Sequence, residues 1–469
     1  MSYLFMGIIA LLVVLIPFSL SNRHGRFRFS NPLFVLSISL LIGTGVKTIG
    51  LFWAPELSFY NVNNPTLAGP LRGYIFTFLF VCLMCVGYMV SVRRTRQIDN
   101  PVYALQNAPL ILPDSRVALV LLTSVGVFLV TAFFYTRAHS SGVSLAGLFT
   151  FDGLKTISRY KVDYIEGNTD FGATYGHIRI FFTLIIFSLL ILFTQLYVRR
   201  KSVVLIGSIA IIIILNFIVA IMLGKRTDLV MTILLLVLIH FCYRPQVKVK
   251  LIGYGVVALS AILLVFGLMT QARVNESVDD VITLAVLEPI INQVVFSTYF
   301  FDINIISLVI ENIKEDEFLY GKSYVDWTTS VIPRILWPDK PATSLGQYVT
   351  NVIMDRQAGL GGWVATITGE AYINFGWFGV LIGGAFGMFF RKAEEFLTSI
   401  KALAYFGGPW FYIFFLYQWC WHLPQTSFSI FFAGFLYNTV LAIFVLFGLR
   451  GISLKLPKNR FSMETSYGI

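Results

Sequence analysis

The chain contains 469 residues, of which 57% are hydrophobic and 13% charged, with 44 phenylalanines and a mean hydropathy of +0.77. An ordinary soluble domain is about 45–50% apolar and about 25% charged, so this composition excludes a single water-soluble core and predicts an integral membrane protein. In such a protein the net charge of +11 is first divided between the two sides of the membrane, and it is not a sign of a nucleic-acid partner.

Eleven apolar segments are long enough, with their flanks, to cross a bilayer core of about 30 Å as helices. In chain order they are 3–20, 33–53, 73–92, 117–135, 178–198, 202–223, 229–243, 251–270, 376–390, 402–422 and 427–449. The first has no basic residue before it and Arg23, Arg26 and Arg28 after it, the reverse of a cleavable signal peptide, so we expect a retained span. The sequence therefore predicts an all-α polytopic membrane protein.

Basic residues concentrate in alternate connections. The segments 21–32, 93–116, 199–201, 244–250 and 391–401, with the tail from residue 450, contain 20 of the 35 Lys and Arg residues but 5 of the 24 acidic ones. By the positive-inside rule these segments are cytoplasmic, which predicts an outside N-terminus, an inside C-terminus, and net charges of +15 inside and −4 outside. Lys47, within the second span, is expected to snorkel to the membrane surface from near the helix end.

A long outer loop, 271–375, divides the chain. Residues 1–270 contain the first eight predicted spans, and residues 376–469 contain the last three and the cytoplasmic tail. A connection of this length favours a functional role. Its part from 281 to 310 is apolar but interrupted by polar residues, which favours short helices in the interface or packed on the bundle over a further span.

A tight outer hairpin between the sixth and seventh spans contains Lys225, Arg226 and Asp228. Two adjacent cations thus lie on the outer side, where the positive-inside rule least favours them. They could be snorkelling side chains with Asp228 as partner and N-cap of the next helix. Two cations beside a helix N-terminus also suit a phosphate or pyrophosphate at headgroup depth, and we favour this anion site.

A second constellation comprises residues 320–324 and the proline-rich stretch 332–341. The prolines fix the backbone, Arg334 and Lys340 supply cations, and Trp337 supplies a flat apolar face. Together they suit a sugar-phosphate ligand. The alternative is a rigid structural turn with Trp337 as an interfacial anchor.

A third constellation, 366–376, contains Glu370 at the expected membrane surface, with Asn374 one helical turn later on the same face and Tyr372 on another. The carboxylate could neutralise Arg226 or Arg334, the commoner kind of role, or act as a general base on a sugar hydroxyl. Further residues predicted to contribute to substrate binding are Asp228, Arg159, Arg273, Trp337, Tyr372, Asn374 and His422.

Several signatures are missing from the sequence. It has no GxxxxGK[ST] phosphate loop, HExxH zinc site, GxSxG elbow or second CxxC, and its four cysteines lie in or at the edge of apolar stretches. These absences argue against nucleotide hydrolysis and metalloprotease chemistry, and we expect neither a metal nor a cofactor.

The span layout, the Gly-Lys-Arg hairpin at 224–226, the Ile-Pro-Arg-x-Leu-Trp-Pro-x-Lys-Pro stretch at 332–341 and the Gly-Glu-x-Tyr-x-Asn-Phe-Gly stretch at 369–376 resemble the Wzy-type oligosaccharide repeat-unit polymerases of bacteria. These belong to the same broad group as the O-antigen ligases. The resemblance implies a GT-C-type glycosyltransferase of the inner membrane, with its active site and N-terminus on the periplasmic side. It would move a growing glycan from undecaprenyl pyrophosphate onto the non-reducing end of a new lipid-linked unit, with inversion and without a metal.

Carried over to this chain, the resemblance implies that Lys225 and Arg226 hold the donor pyrophosphate and that Arg334 and Lys340 hold the second pyrophosphate or the glycan. Glu370 would orient these cations or deprotonate the acceptor hydroxyl. The implied partners are undecaprenyl-pyrophosphate-linked oligosaccharides, membrane lipids and a membrane protein that regulates chain length. No family catalytic histidine is matched.

Two alternatives remain at this point. One is an O-antigen ligase that transfers glycan to lipid A core, and the other is a non-enzymatic flippase or transporter of lipid-linked sugars. A transporter should have charged or discontinuous segments near the midplane in corresponding positions of two halves. The spans here are almost free of charge and the informative charges lie at the outer surface, which favours chemistry at the interface.

Overall fold

A computed structural model describes residues 2–21, 31–58, 68–90, 111–138, 181–198, 201–222, 226–244, 295–296, 302–332, 336–337, 345–353 and 364–450. All regular elements within these ranges are helical, as the sequence predicts. The α-helices are α1 (Ser2–Ser21), α2 (Pro32–Leu40), α3 (Lys47–Trp53), α4 (Pro55–Ser58), α5 (Ala68–Val90), α6 (Asp114–Ala138), α7 (Thr183–Val198), α8 (Val203–Met222), α9 (Arg226–Tyr243), α10 (Ile303–Asn312), α11 (Lys322–Val325), α12 (Trp327–Ser330), α13 (Leu345–Tyr348), α14 (Thr366–Phe375), α15 (Val380–Leu397), α16 (Ile400–Phe406), α17 (Trp410–Leu416) and α18 (Phe428–Arg450).

Seven helical stretches in the described part of the chain are long and apolar enough to cross a membrane. They are Tyr3–Ser21, Pro32–Trp53, Pro70–Val90, Asp114–Phe134, Val203–Ala220, Thr366–Leu397 and Phe428–Gly448, and each overlaps a predicted span. The predicted spans 178–198 and 229–243 fall on the shorter apolar helices α7 and α9. The predicted span 251–270 lies outside the described residues. A polytopic helical protein is therefore confirmed, whereas the number eleven and the GT-C fold stay predictions.

The second span is one continuous helical rod that changes its winding midway. Asn31 caps α2, because its side-chain oxygen accepts the Leu33 N–H at 2.8 Å and Pro32 occupies the first helical position. The π-helical segment Leu41–Val46 then joins α2 to α3. A π-segment widens the helix and rotates the residues that follow it, and here it immediately precedes Lys47.

Helices α5 and α15 pack backbone against backbone. Two glycines of α15 make this possible, since a Cβ atom on Gly383 would overlap the carbonyl oxygen of Phe80 and one on Gly387 would overlap that of Met84. Small residues allow this close approach in membranes, where apolar side chains gain little by leaving lipid for protein. The α5–α15 pair thus forms a rigid centre to which α1, α10 and α14 are attached.

The structure differs from the prediction of one span over 402–422. Helix α16 ends at Phe406, and Gly407 and Gly408 follow with φ angles of 72° and 138°. Pro409 is the N-cap of α17, which continues as the π-helix Tyr417–His422 and a short 3₁₀ turn, Leu423–Gln425. The Gly-Gly-Pro sequence interrupts the helix because two consecutive residues with positive φ leave the helical conformation and proline cannot continue a helical hydrogen-bond ladder.

Lys47 does not snorkel to the surface. Its side chain is 1% exposed, and its Nζ lies 3.6 Å from Oδ2 of Asp302, which is equally buried. Asp302 also caps α10 by accepting the Asn304 N–H at 2.9 Å. Helix α10 in turn packs on α5, where the hydroxyl of Ser307 donates to the carbonyl of Pro70 at 3.2 Å. The expected snorkelling is thus replaced by an ion pair that connects the second span to a buried helix preceding the candidate site.

Removal of either charge of this pair should destabilise the protein. Lys47→Met and Asp302→Asn should each lower the free energy of unfolding by about 3 kcal/mol, because each leaves a buried charge without its partner. The double variant should recover most of the loss, since no charge is stranded and asparagine can still cap α10. Denaturant titration of the purified protein in detergent measures all three. Lys201→Met, at an exposed position, is the control, and additive losses in the double variant would contradict the interpretation.

Candidate functional site

The third predicted constellation forms a buried helix. Helix α14 begins at Thr366 and ends at Phe375, before Gly376, whose φ angle is 55°. Its residues are buried from Thr366 through Asn374. Its polar side chains Glu370 and Asn374 are both 0% exposed. Glu370 is therefore enclosed by other helices and not open to solvent, and its depth relative to the membrane surface stays a prediction.

The carboxylate of Glu370 accepts two hydrogen bonds from neutral donors. The hydroxyl of Ser323 on α11 donates to Oε1 at 2.6 Å, and the backbone N–H of Phe428 donates to Oε2 at 2.5 Å. Phe428 is the first residue of α18, so this N–H is one that the helix itself leaves without an acceptor and that faces a negative charge favourably. The carboxylate therefore joins α14 to α11 and to the start of α18.

Asn374 completes the cluster one turn later on the same face of α14. Its Nδ2 donates to the carbonyl of Glu370 at 2.8 Å and to the hydroxyl oxygen of Ser323 at 2.7 Å. Its Oδ1 accepts the N–H of Gly321 at 3.0 Å. The hydroxyl of Ser323 thus accepts from one member and donates to the other. We call Ser323, Glu370 and Asn374 the polar cluster.

The turn before α11 is tied to the end of α14. The N–H groups of Leu319 and Tyr320 donate to the last carbonyls of α14, those of Ile373 and Asn374, each at 3.0 Å. Tyr320 and Gly321 have positive φ angles of 47° and 90°, and the Lys322 N–H closes the turn on the carbonyl of Leu319 at 2.9 Å. The two sequence stretches 320–324 and 366–376 therefore form one unit.

Two ionisable groups beside the polar cluster have shifted pKa values. Burial raises the pKa of the Tyr324 phenol well above its usual value, and the negative charge of Glu370 raises it further. Burial also raises the pKa of Asp326, an effect that the positive charge of Lys322 partly offsets. Within the described part of the chain no cation forms an ion pair with Glu370. Lys322 itself is exposed.

The other predicted site residues are described in part. Tyr372 is 7% exposed and meets the rings of Phe76 and Phe318 edge to face, with centroids 5.2 and 6.0 Å apart, so it lies on an apolar face away from the polar cluster. Trp337 is 38% exposed. His422 ends the π-helix and stacks on Tyr417 at 6.2 Å.

The predicted cations lie largely outside the described residues. Arg226 and Asp228 belong to the first turn of α9, but their side chains are not described. The residues that lie wholly outside the described ranges are Arg159, Lys225, Arg273, Arg334 and Lys340. Their roles stay predictions.

Sequence reasoning missed two members of the site. Ser323 stood within the Tyr-Gly-Lys-Ser-Tyr stretch, but a lone serine has no pattern that pairs it with a carboxylate 47 residues away. The donor at Phe428 is a backbone N–H, which no side-chain motif can reveal. The start of a long helix at 428 was the one available signal, because such a start always offers unpaired N–H groups.

The fold and this site define a polytopic helical membrane protein with a buried polar cluster where α11, α14 and α18 meet. The chain belongs to the O-antigen polysaccharide polymerase Wzy family, whose model matches residues 1–456. No curated protein and no solved structure matches it. Membership confirms the resemblance and means, in general terms, a glycosyltransferase-type enzyme that polymerises O-antigen repeat units from lipid-linked oligosaccharides in a membrane.

Loss of the Ser323 hydroxyl should destabilise the site. Ser323→Ala removes a donor from Glu370 and an acceptor from Asn374, both fully buried, and should lower the free energy of unfolding by about 1–3 kcal/mol. Thr328→Ala is the matched control, because its hydroxyl bonds to the carbonyl of Val325 at an exposed position, and it should cost at most about 0.5 kcal/mol. Denaturant titration in detergent compares the two, and equal losses would contradict a connected cluster.

Proposed function

We propose that this protein extends the glycan of undecaprenyl-pyrophosphate-linked repeat units on the periplasmic face of the bacterial inner membrane. The observation that carries the proposal is the family match over residues 1–456. The structure adds that one stretch carrying the earlier resemblance, 369–376, is bound through the polar cluster to residues 320–324 of the second constellation. The charge partition of the sequence, +15 against −4, supports the side of the membrane and the orientation of the termini.

The proposed reaction is an inverting substitution. A hydroxyl oxygen at the non-reducing end of the new lipid-linked unit attacks the anomeric carbon of the growing glycan. The bond from that carbon to the pyrophosphate breaks, undecaprenyl pyrophosphate leaves with the electron pair, and the hydroxyl proton passes to a base. The predicted cations Lys225, Arg226, Arg334 and Lys340 would neutralise the leaving diphosphate as a metal ion otherwise would.

Glu370 is proposed to be a positioning residue that holds the turn before α11 in place. Both of its oxygens accept short hydrogen bonds, and its side chain is fully enclosed, so the observed geometry offers no face to a sugar hydroxyl. What the carboxylate does hold, through Ser323 and Asn374, is the turn that presents Tyr320 and Lys322 to solvent. This positioning of the turn differs from the two roles considered from the sequence, which were to orient the cations and to deprotonate the acceptor hydroxyl.

Replacement of the predicted cations tests the function itself. Arg226→Ala and Arg334→Ala should each abolish chain extension, with single lipid-linked repeat units accumulating, because the leaving pyrophosphate loses its counter-charge. Arg244→Ala is the control: this exposed arginine follows the opposite end of α9 and should leave polymer length unchanged. Gel analysis of lipid-linked glycans reports the result. Polymer of normal length in both active-site variants would refute the assignment.

Purified protein incubated with lipid-linked repeat unit alone separates the three activities. Longer lipid-linked glycan identifies a polymerase. A reaction that starts only when lipid A core is added identifies a ligase, and translocation of unchanged lipid-linked units identifies a transporter. The described structure does not favour the transporter, since Lys47 of the second span pairs with Asp302 at the start of α10 in a closed contact between helices and lines no path.

Glu370→Gln distinguishes positioning from base catalysis. Glutamine keeps the shape but can satisfy only one of the two donors, so a positioning role predicts a raised KM, a kcat within about tenfold of the parent, and an unchanged pH profile. Loss of a general base would lower kcat by about 10²–10⁴-fold and remove one limb of the pH profile. Steady-state kinetics with lipid-linked repeat unit across pH decides between them, and the second outcome would overturn the positioning role.

A further inference from the structure

Tyr320 adopts a backbone conformation that favours glycine. Its φ angle is 47°, in the left-handed region that side chains with a Cβ atom rarely occupy. Three hydrogen bonds around it, from the N–H groups of Leu319, Tyr320 and Gly321 to the last turn of α14, hold it there. The fold thus imposes the conformation, but it does not require a tyrosine to adopt it.

The other non-glycine residue with positive φ in the described ranges has a side chain that stabilises the fold. Thr366 has a φ of 61° and is 1% exposed. Its hydroxyl oxygen accepts the Gly369 N–H at 3.2 Å and so caps the start of α14. Its side chain compensates for the strained backbone with a buried hydrogen bond.

The side chain of Tyr320 offers no such compensation. It is 74% exposed, and its one ring contact in the described structure is an edge contact with Phe318 at a centroid distance of 6.4 Å. A glycine would make the same turn without strain. A strained residue with an exposed aromatic ring is the combination expected where the ring serves a ligand rather than the fold.

The position of the ring is also fixed relative to the polar cluster. The Tyr320 N–H bonds to the carbonyl of Asn374, and the next N–H, that of Gly321, bonds to the side chain of the same asparagine. Asn374 in turn contacts Glu370 and Ser323. Only the rotations about the side-chain bonds of Tyr320 lie between the ring and this fully buried network. The ring can therefore occupy only a narrow range of positions.

We propose that Tyr320 is a stacking platform for a sugar ring of the glycan, a subsite that rests on the proposed function. The C–H groups on one face of a pyranose are weakly positive and the face of an aromatic ring is negative, so the two stack. An interfacial lipid anchor fits less well, because the segment 314–322 has two cations against three acidic residues and so lacks the excess of basic residues that holds a segment on an anionic membrane surface.

The test compares Tyr320→Gly with Tyr320→Phe in the full-length protein in detergent. The probe is the oligosaccharide that mild acid releases from the host strain's own lipid-linked repeat unit, with binding followed by saturation-transfer NMR. Glycine should leave the apparent Tm equal or higher, because strain is relieved, while glycan affinity falls about tenfold. Phenylalanine should bind within about twofold of the parent, because stacking needs the ring and not the hydroxyl.

Each contrary outcome overturns the subsite. A lower Tm in Tyr320→Gly would show that the ring supports the fold, and unchanged glycan affinity would show that it does not bind sugar. Weak binding by Tyr320→Phe would mean a hydrogen bond instead of stacking. Phe378→Ala, at an aromatic 79% exposed, is the control, and an equal loss there would also overturn the assignment.

Extension of the lipid-linked unit by the same preparations separates this inference from the proposed function. A parent protein that binds the released glycan but extends nothing disproves the function while leaving the subsite. A parent that extends, with a Tyr320→Gly variant that binds glycan normally, disproves the subsite while leaving the function.

Discussion

A carboxylate enclosed by apolar helices must find hydrogen-bond donors, and this constraint determines the geometry of the candidate site. Glu370 is 0% exposed, and its donors come from residues 47 positions before it and 58 after it along the chain. An unsatisfied buried carboxylate would cost several kcal/mol. Separation of α11, α14 and α18 would therefore cost a large part of the total stability of a typical protein. The contact therefore specifies which helices meet, in a setting where apolar packing alone discriminates poorly between neighbours.

Two further sets of polar contacts lie near the two ends of helix α5, which packs against α15. Near the start of α5, Lys47 and Asp302 join the second span to α10, which packs on both α5 and α14. Near the end of α5, the Tyr88 hydroxyl donates to Glu394 of α15 at 2.5 Å, and Arg391 pairs with the same carboxylate at 3.1 Å. Between them the glycines of α15 bring the two backbones together. The α5–α15 pair is thus fixed in register from both ends, and α14 packs on α15 and on α10.

The sequence predicted the helical membrane fold well because apolar length is nearly sufficient to define a span. It failed where local backbone chemistry or a distant partner decides. The break after Phe406 follows from Gly407, Gly408 and Pro409, which a hydropathy window averages away. Lys47 looked like a snorkelling residue because its partner Asp302 is 255 positions distant. For the site, the helical spacing of Glu370 and Asn374 correctly placed both on one face, whereas the burial of Glu370 could not be predicted because its donors are a lone serine and a backbone N–H.

The polar cluster also explains how a strained turn can persist. Left-handed backbone at a tyrosine costs free energy that the ring, being exposed, does not return. The compensation comes instead from the amides of the turn, which satisfy two carbonyls and one side-chain oxygen at the end of α14. Those acceptors are available because α14 stops at Gly376, whose positive φ ends the helix and leaves its last carbonyls without intrahelical partners. Strain at the surface is therefore balanced by satisfied polar groups in the interior. For the proposed glycan contact at Tyr320, this support means that less ordering remains to be done when the substrate binds.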